Sequence, residues 1–220
     1  MRVVDLGRMA YRPAWEKQEQ AHELVSAAGE ETLLLVEHDP VITFGRRPGV
    51  SRNLVASAEQ LATMGVEVVQ SDRGGDITFH GPGQLVAYPI IRLIDHGYSV
   101  GAYVRKLEDI IIATLADFDI VAQLDPSAIG VWVPIPTPCG EQLAKICALG
   151  VRIKQGISMH GIALNITTDL RYFNLIVPCG LHRPVTSMHQ LLGDRAPDMA
   201  AVKESLVNHM RSMLSSPAAS

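Results

Sequence analysis

Over residues 13–28 apolar positions recur at helical spacing, with Trp15, Ala21, Leu24 and Val25 on one stripe and Glu16, Lys17, Glu19 and Gln20 off it. The spacing predicts an amphipathic helix. A stronger one is predicted over residues 98–118, where Val104, Leu107, Ile111 and Leu115 share a face, and others over residues 58–64 and 198–214. Between them lie short runs of β-formers at residues 2–6, 32–37, 41–44, 66–69, 85–93, 128–133, 144–153 and 161–166. Turn signals such as Asp39-Pro40 separate them. The interleaving is irregular and hairpin-like rather than a repeated βαβ unit. It predicts an α+β fold with a mixed sheet flanked by helices, in one domain over residues 1–214. Residues 215–220, Ser-Ser-Pro-Ala-Ala-Ser, read as a frayed tail.

A hydrophobic fraction of 47% over 220 residues is ample for one core. A net charge of -4, with no long charge run, disfavours non-specific binding to nucleic acid. The first residues lack the apolar stretch of a secretory signal, and the longest apolar patch, residues 110–115, is far short of the roughly 20 residues of a membrane span. The expectation is a soluble, cytoplasmic protein, monomeric and without nucleic-acid or membrane partners.

Cys139, Cys147 and Cys179 are odd in number and show no CxxC spacing, which disfavours disulfides and structural zinc; the histidines form no ligand spacing either. No metal and no cofactor is expected. Cys147 sits inside a predicted strand and reads as a core filler, whereas Cys139 follows a proline-rich loop. Cys179 stands between Pro178 and Gly180, on a turn that presents its thiol.

Residues 73–84 carry the densest chemistry. Gly74, Gly75, Gly81 and Gly83 crowd around Arg73, His80 and Pro82 between two apolar runs, a composition suited to bringing backbone close to a ligand. The segment is neither a P-loop, which needs Gly-Lys-Ser/Thr opening a helix, nor a GxGxxG fingerprint.

The run RGGDITFHGPGQLVAYPI, residues 73–90, resembles the signature of the lipoyl(octanoyl) transferases. Four further segments agree, in family order: EHDPVITFGR at 37–46, KICALGVRI at 145–153, HGIALN at 160–165 and VPCGL at 177–181. The resemblance spans residues 11–192. It implies the biotin/lipoate protein ligase fold. It also implies transfer of an octanoyl group from octanoyl-acyl carrier protein, through a cysteine acyl-thioester, to the acceptor lysine of lipoyl domains, the first step of endogenous protein lipoylation. The acceptors implied are 2-oxoacid dehydrogenases and the glycine cleavage H protein. By the same resemblance Cys179 is the acyl-accepting cysteine and Lys145 its catalytic partner. The acyl substrate is expected against Arg73, Gly74, Gly75, Asp76, Ile77, Thr78, Phe79 and His80, and against Ala148, Leu149, Gly150, Gly161, Ile162 and Ala163.

These residue types suit acyl transfer. A free thiol with a pKa of about 8.5 is only a few per cent thiolate at pH 7, and a lysine on a strand with apolar neighbours, as Lys145 is with Ile146 and Ala148, can exchange a proton with it. Glycine and alanine would leave a narrow slot for an acyl chain, with Gly150 and Gly161 freeing N–H groups near the thioester oxygen. His80 is open between base, hydrogen-bond partner of the carbonyl and loop brace, and His160 has no assigned role. Arg46, Arg47 and Arg73 are candidates for docking acidic partners. Competing readings are an ATP-dependent lipoate or biotin ligase on the same fold, whose loop would read RRxxGGGxVxH, a non-catalytic acyl-binding protein, and a cysteine amidase or thioesterase.

Overall fold

The computed structural model describes residues 1–138, 140–177 and 183–214; Cys139, Cys179 and the tail at 215–220 therefore lie outside the described residues. A mixed seven-stranded sheet is built from β1 (Arg2–Met9), β2 (Thr32–His38), β6 (Gln84–Ile90), β7 (Gln123–Asp125), β8 (Ala128–Thr137), β9 (Gly140–Lys154) and β10 (Ile157–Asn165). Their spatial order is β1-β2-β6-β10-β9-β8-β7. Only β1 and β2 pair in parallel; every other neighbour in this sheet is antiparallel. A smaller sheet, in the order β4-β3-β5, joins β3 (Val41–Phe44), β4 (Glu67–Gln70) and β5 (Ile77–His80).

Helices cover the large sheet as its apolar faces require. Against one face, α3 (Val100–Ala116) and α4 (Met199–Leu214) bury Leu107, Ile111, Leu115, Val202, Leu206 and Met210 on Leu33, Leu85, Val131, Cys147 and Leu164. On the other, α1 (Tyr11–Ser26) lays Ala14, Ala21 and Val25 on Leu34, Val86, Tyr88 and Ala163. The α1 stripe is rotated from the predicted one. Gln18 and His22 are buried on it and Leu24 is 59% exposed, because polar partners on β9 and β10 override hydropathy there. The short α2 (Ala58–Thr63) starts at a capping box, in which Ser57 accepts from Gln60 N–H and Gln60 returns the bond.

Two strand boundaries differ from the pattern for identifiable reasons. Strand β8 runs through Pro134 and Pro136 to a hairpin with β9, since β7 ends opposite Trp132 and leaves those prolines on a free edge. In addition, β9 bulges at Ile146: Trp132 opposes Lys145 while Val131 opposes Cys147. The bulge breaks the alternation that would have put Lys145 and Cys147 on one face. Cys147 drops into the core, where burial pushes its thiol up to about 12, and Lys145 lines a cavity instead.

Candidate active site

Between the two sheets lies a cavity of about 610 Å³. Its floor follows from strand period and register. Gln84 opposes Asn165, Val86 opposes Ala163, Ala163 opposes Ala148 and Gly161 opposes Gly150, so these side chains point to one side of the large sheet, and all of them line the cavity. The middle is apolar and low. Polar groups stand around it: Lys145, Gln84 and Asn165 where β9, β6 and β10 meet the 183–187 segment, and Tyr88, His160 and Arg73 toward α1 and the glycine loop.

The glycines are demanded by backbone contact. Gly74 N–H donates to Val151 O at 3.0 Å, and a Cβ on Gly150 would lie 2.9 Å from Gly74 O, so loop and strand touch with nothing between them. A Cβ on Gly161 would lie 2.2 Å from Ala87 O and 2.9 Å from Pro89 Cδ. The packing of sheet against loop therefore requires small residues here by itself.

The loop is braced from within. Arg73 is buried, its guanidinium donating to Thr43 O and Asp76 O at 2.6 Å each, to Gly74 O at 3.0 Å and to Thr43 Oγ1 at 3.0 Å. A buried guanidinium so engaged cannot dock a partner, which corrects that expectation for Arg73. Asp76 Oδ1 accepts from Ile77 N–H at 2.7 Å and Asn53 Nδ2 at 2.9 Å. Both residues line the cavity while holding the loop's shape.

Most of the residues predicted to meet substrate are brought together on this cavity: Arg73, Gly74, Gly75, Asp76, Ile77, Thr78, His80, Lys145, Ala148, Leu149, Gly150, Gly161, Ile162 and Ala163. Phe79 is not among them. Strand alternation turns it away from Thr78 and His80 into a separate cluster, where it stacks on Tyr172 with centroids 4.6 Å apart and meets Phe173 edge-on at 5.6 Å.

Lys145 is half-buried, with Nζ 4.6 Å from the centroid of Trp132, and Arg183 lies 5.1 Å from the same ring. Its backbone is tied to the later chain. Lys145 N–H donates to Pro184 O at 2.8 Å, and Thr186 N–H donates to Lys145 O at 2.9 Å. On the near side Val177 N–H donates to Asn53 O at 2.8 Å. Val177 and Pro184, the described residues nearest Cys179 that make these bonds, thus meet Asn53, whose side chain is bonded to Asp76 of the glycine loop, and Lys145.

Sequence reasoning missed a buried imidazole and phenol cluster. His38 Nδ1–H donates to Met9 O at 2.9 Å, so its Nε2 accepts from Tyr88 O–H at 2.7 Å. Burial holds His38 at about 4 and His160 at about 3, and burial with the neighbouring His38, Arg73 and His160 holds His80 well below 6.5. Tyr11 stacks on His80 with centroids 6.0 Å apart. His160 has a left-handed backbone, φ 56°, fixed by its N–H to Gln18 Oε1 at 2.8 Å, and its Nε2 donates to Asp72 Oδ1 at 2.6 Å. Asp72 also pairs with Arg152. Both His38 and Tyr88 lie inside segments that carry the family resemblance, but no role was attached to either, because only the pairing of β2 with β6 brings them together.

A family model described as the lipoyl protein ligase A/B catalytic domain matches residues 10–211. The octanoyltransferase of Roseiflexus sp. (strain RS-1) is 45% identical over 211 residues, covering 94% of this chain and 85% of that protein. That of Solibacter usitatus is 50% identical over 192 residues, covering 87% and 83%. Among solved structures, a bipartite lipoate protein ligase from Thermoplasma acidophilum superposes with a TM-score of 0.74 over 97% of this chain and 83% of that one, at 14% identity. Biotin protein ligase from Aquifex aeolicus gives 0.54 over 97% and 68%, at 12% identity. At such identities these structures share the fold alone.

Proposed function

The chain belongs to the octanoyltransferase family, and from that premise we propose that it moves an octanoyl group from octanoyl-acyl carrier protein to the acceptor lysine of lipoyl domains, with Cys179 as nucleophile and Lys145 as its proton partner. One observation carries the reading: Lys145 lines the small-residue cavity and is hydrogen-bonded to Pro184, only five residues of chain beyond Cys179. Five residues reach roughly 17 Å at most, and Val177, two residues before Cys179, is held beside the glycine loop. These two bonded positions, one on each side of Cys179 in the chain, support reading the cysteine as a member of this site.

In the first step the Cys179 thiolate attacks the thioester carbonyl; the new S–C bond forms, the carrier's C–S bond breaks, and the carrier thiolate leaves with a proton. In the second the lipoyl lysine's amine attacks the acyl-cysteine. The amide C–N bond forms, the S–C bond breaks, and the amine's proton passes by way of Lys145 to the cysteine. Acceptors of this chemistry are the lipoyl domains of 2-oxoacid dehydrogenases and the glycine cleavage H protein. An ATP-dependent ligase reading is less supported, since the ligases resemble this chain at 10–15% identity and the octanoyltransferases at 42–50%.

Intact-mass measurement after incubation with octanoyl-acyl carrier protein tests the proposal. One octanoyl mass, released by hydroxylamine, is expected on the native protein and none on Cys179→Ala. Labelling that survives in that variant overturns the nucleophile, and labelling that requires free octanoate and ATP overturns the donor. For Lys145→Met, alkylation of Cys179 should shift to higher pH; superimposable profiles remove Lys145 from thiol activation.

A further inference from the structure

The two amides on the cavity floor have orientations that the surrounding carbonyls determine. Thr186 O can only accept, so the Asn165 atom 3.0 Å from it is Nδ2, and Asn165 Oδ1 is turned toward Gln84. Oδ1 in turn requires a donor, which makes the Gln84 atom 2.9 Å away Nε2; that same nitrogen reaches a second obligate acceptor, Phe79 O, at 3.2 Å. Gln84 Oε1 is therefore the atom 2.7 Å from His80 Nδ1, and it demands an N–H there. All three side chains are buried, so bulk water does not compete for these bonds.

We propose that Gln84 and Asn165 are positioning residues: they hold His80 as the Nδ1–H tautomer, so that Nε2 offers its lone pair to a substrate N–H, and they tie that ring to the backbone segment anchored on Lys145. The tie is continuous. From His80 it runs through Gln84 and Asn165 to Thr186, whose N–H is bonded to Lys145 O. The ring lines the cavity, and Tyr11 stacked on one side limits its rotation. Burial chiefly, with His38, Arg73 and His160 nearby adding to it, opposes a second proton, so the ring stays an acceptor. This excludes one of the roles His80 might have had. A neutral Nδ1–H imidazole whose donor is already used cannot hydrogen-bond a thioester carbonyl, whereas it can accept from the incoming lysine amine and align it on the acyl carbon. That last assignment rests on the acyl-transfer reading; the tautomer does not.

The experiment is 15N imidazole spectroscopy of histidine-labelled full-length protein at pH 7, with the His80 signals assigned by their loss in His80→Asn. A protonated Nδ1 and an unprotonated Nε2 are expected; a protonated Nε2 on the neutral ring overturns the proposal. Gln84→Glu places a carboxylate against Nδ1 and should yield a ring protonated at both nitrogens, while Gln84→Met leaves Nδ1 unpartnered and should yield mixed tautomers. Both variants should lower kcat for transfer to a lipoyl-domain lysine by about tenfold to a hundredfold, with KM for the octanoyl donor within about twofold of native. Native kcat in a variant whose ring has changed protonation overturns the positioning role. A native protein that transfers no octanoyl group but shows Nδ1–H loses the reaction and keeps the relay.

Discussion

His38, His80 and His160 are buried among phenols and cations and are held neutral chiefly by burial, His38 at about 4 and His160 at about 3. An unfolded chain takes up these protons near pH 6.5, before the fold does. The unfolded state therefore binds more protons as pH falls below about 6.5, and stability declines toward pH 4, on the order of 1.4 kcal/mol per pH unit for each such histidine. Urea unfolding at pH 7, 6 and 5, above the main carboxylate range, should show this decline. His38→Gln, which can still donate to Met9 O and accept from Tyr88, should lessen the slope by about one proton's worth. Equal slopes would mean that His38 is not a neutral buried group.

At the scale of elements, the close approach of β6, β10 and β9 and the glycine loop sets the shape of the cavity floor. Gly161→Ala puts a methyl 2.2 Å from Ala87 O, which only strand displacement can relieve, and the expected loss is about 1–3 kcal/mol in denaturant unfolding. Gly101→Ala is the contrast: it lies in α3 with nothing within 4 Å of the new Cβ, and should gain up to about 1 kcal/mol. If the two variants unfold alike, the tight β6–β10 contact is not a constraint. The β9 bulge belongs to this scale too, because it aims Lys145 at the cavity and Cys147 at the core with only one residue between them.

For the whole molecule, the exposed Arg46 and Arg47 flank the glycine loop, with Arg47 on the cavity lining and 3.7 Å from Asp76 Oδ2. With Arg73 buried, these two remain as the docking candidates read from the sequence. Under the transfer reading, charge reversal of both should raise KM for an acidic lipoyl domain by roughly three- to tenfold while leaving acylation by the octanoyl donor unchanged. The native KM should also rise between 50 and 300 mM salt, as screening shortens. A KM indifferent to both changes would remove this face from acceptor docking.

Helix periodicity, alternating strands and the glycine loop were readable directly, since they depend on spacing along the chain, and the α+β class followed from them; Lys145 and Cys179 were singled out by the resemblance of their segments and not by spacing. What spacing could not convey was register. The bulge separating Lys145 from Cys147, the rotation of Phe79 out of the cavity and the burial of Arg73 each depend on which strand lies beside which. The same holds for the groups that motif reading left without roles. Gln84 and Asn165 are 81 positions apart and Tyr88 and His38 are 50 apart, and only the pairing of β6 with β10 and of β2 with β6 makes each a hydrogen-bonded pair. Local sequence determines which residues can bond or react, because propensity and side-chain chemistry are local; which of them meet is decided by long-range pairing, in which a one-residue shift turns a side chain to the opposite face.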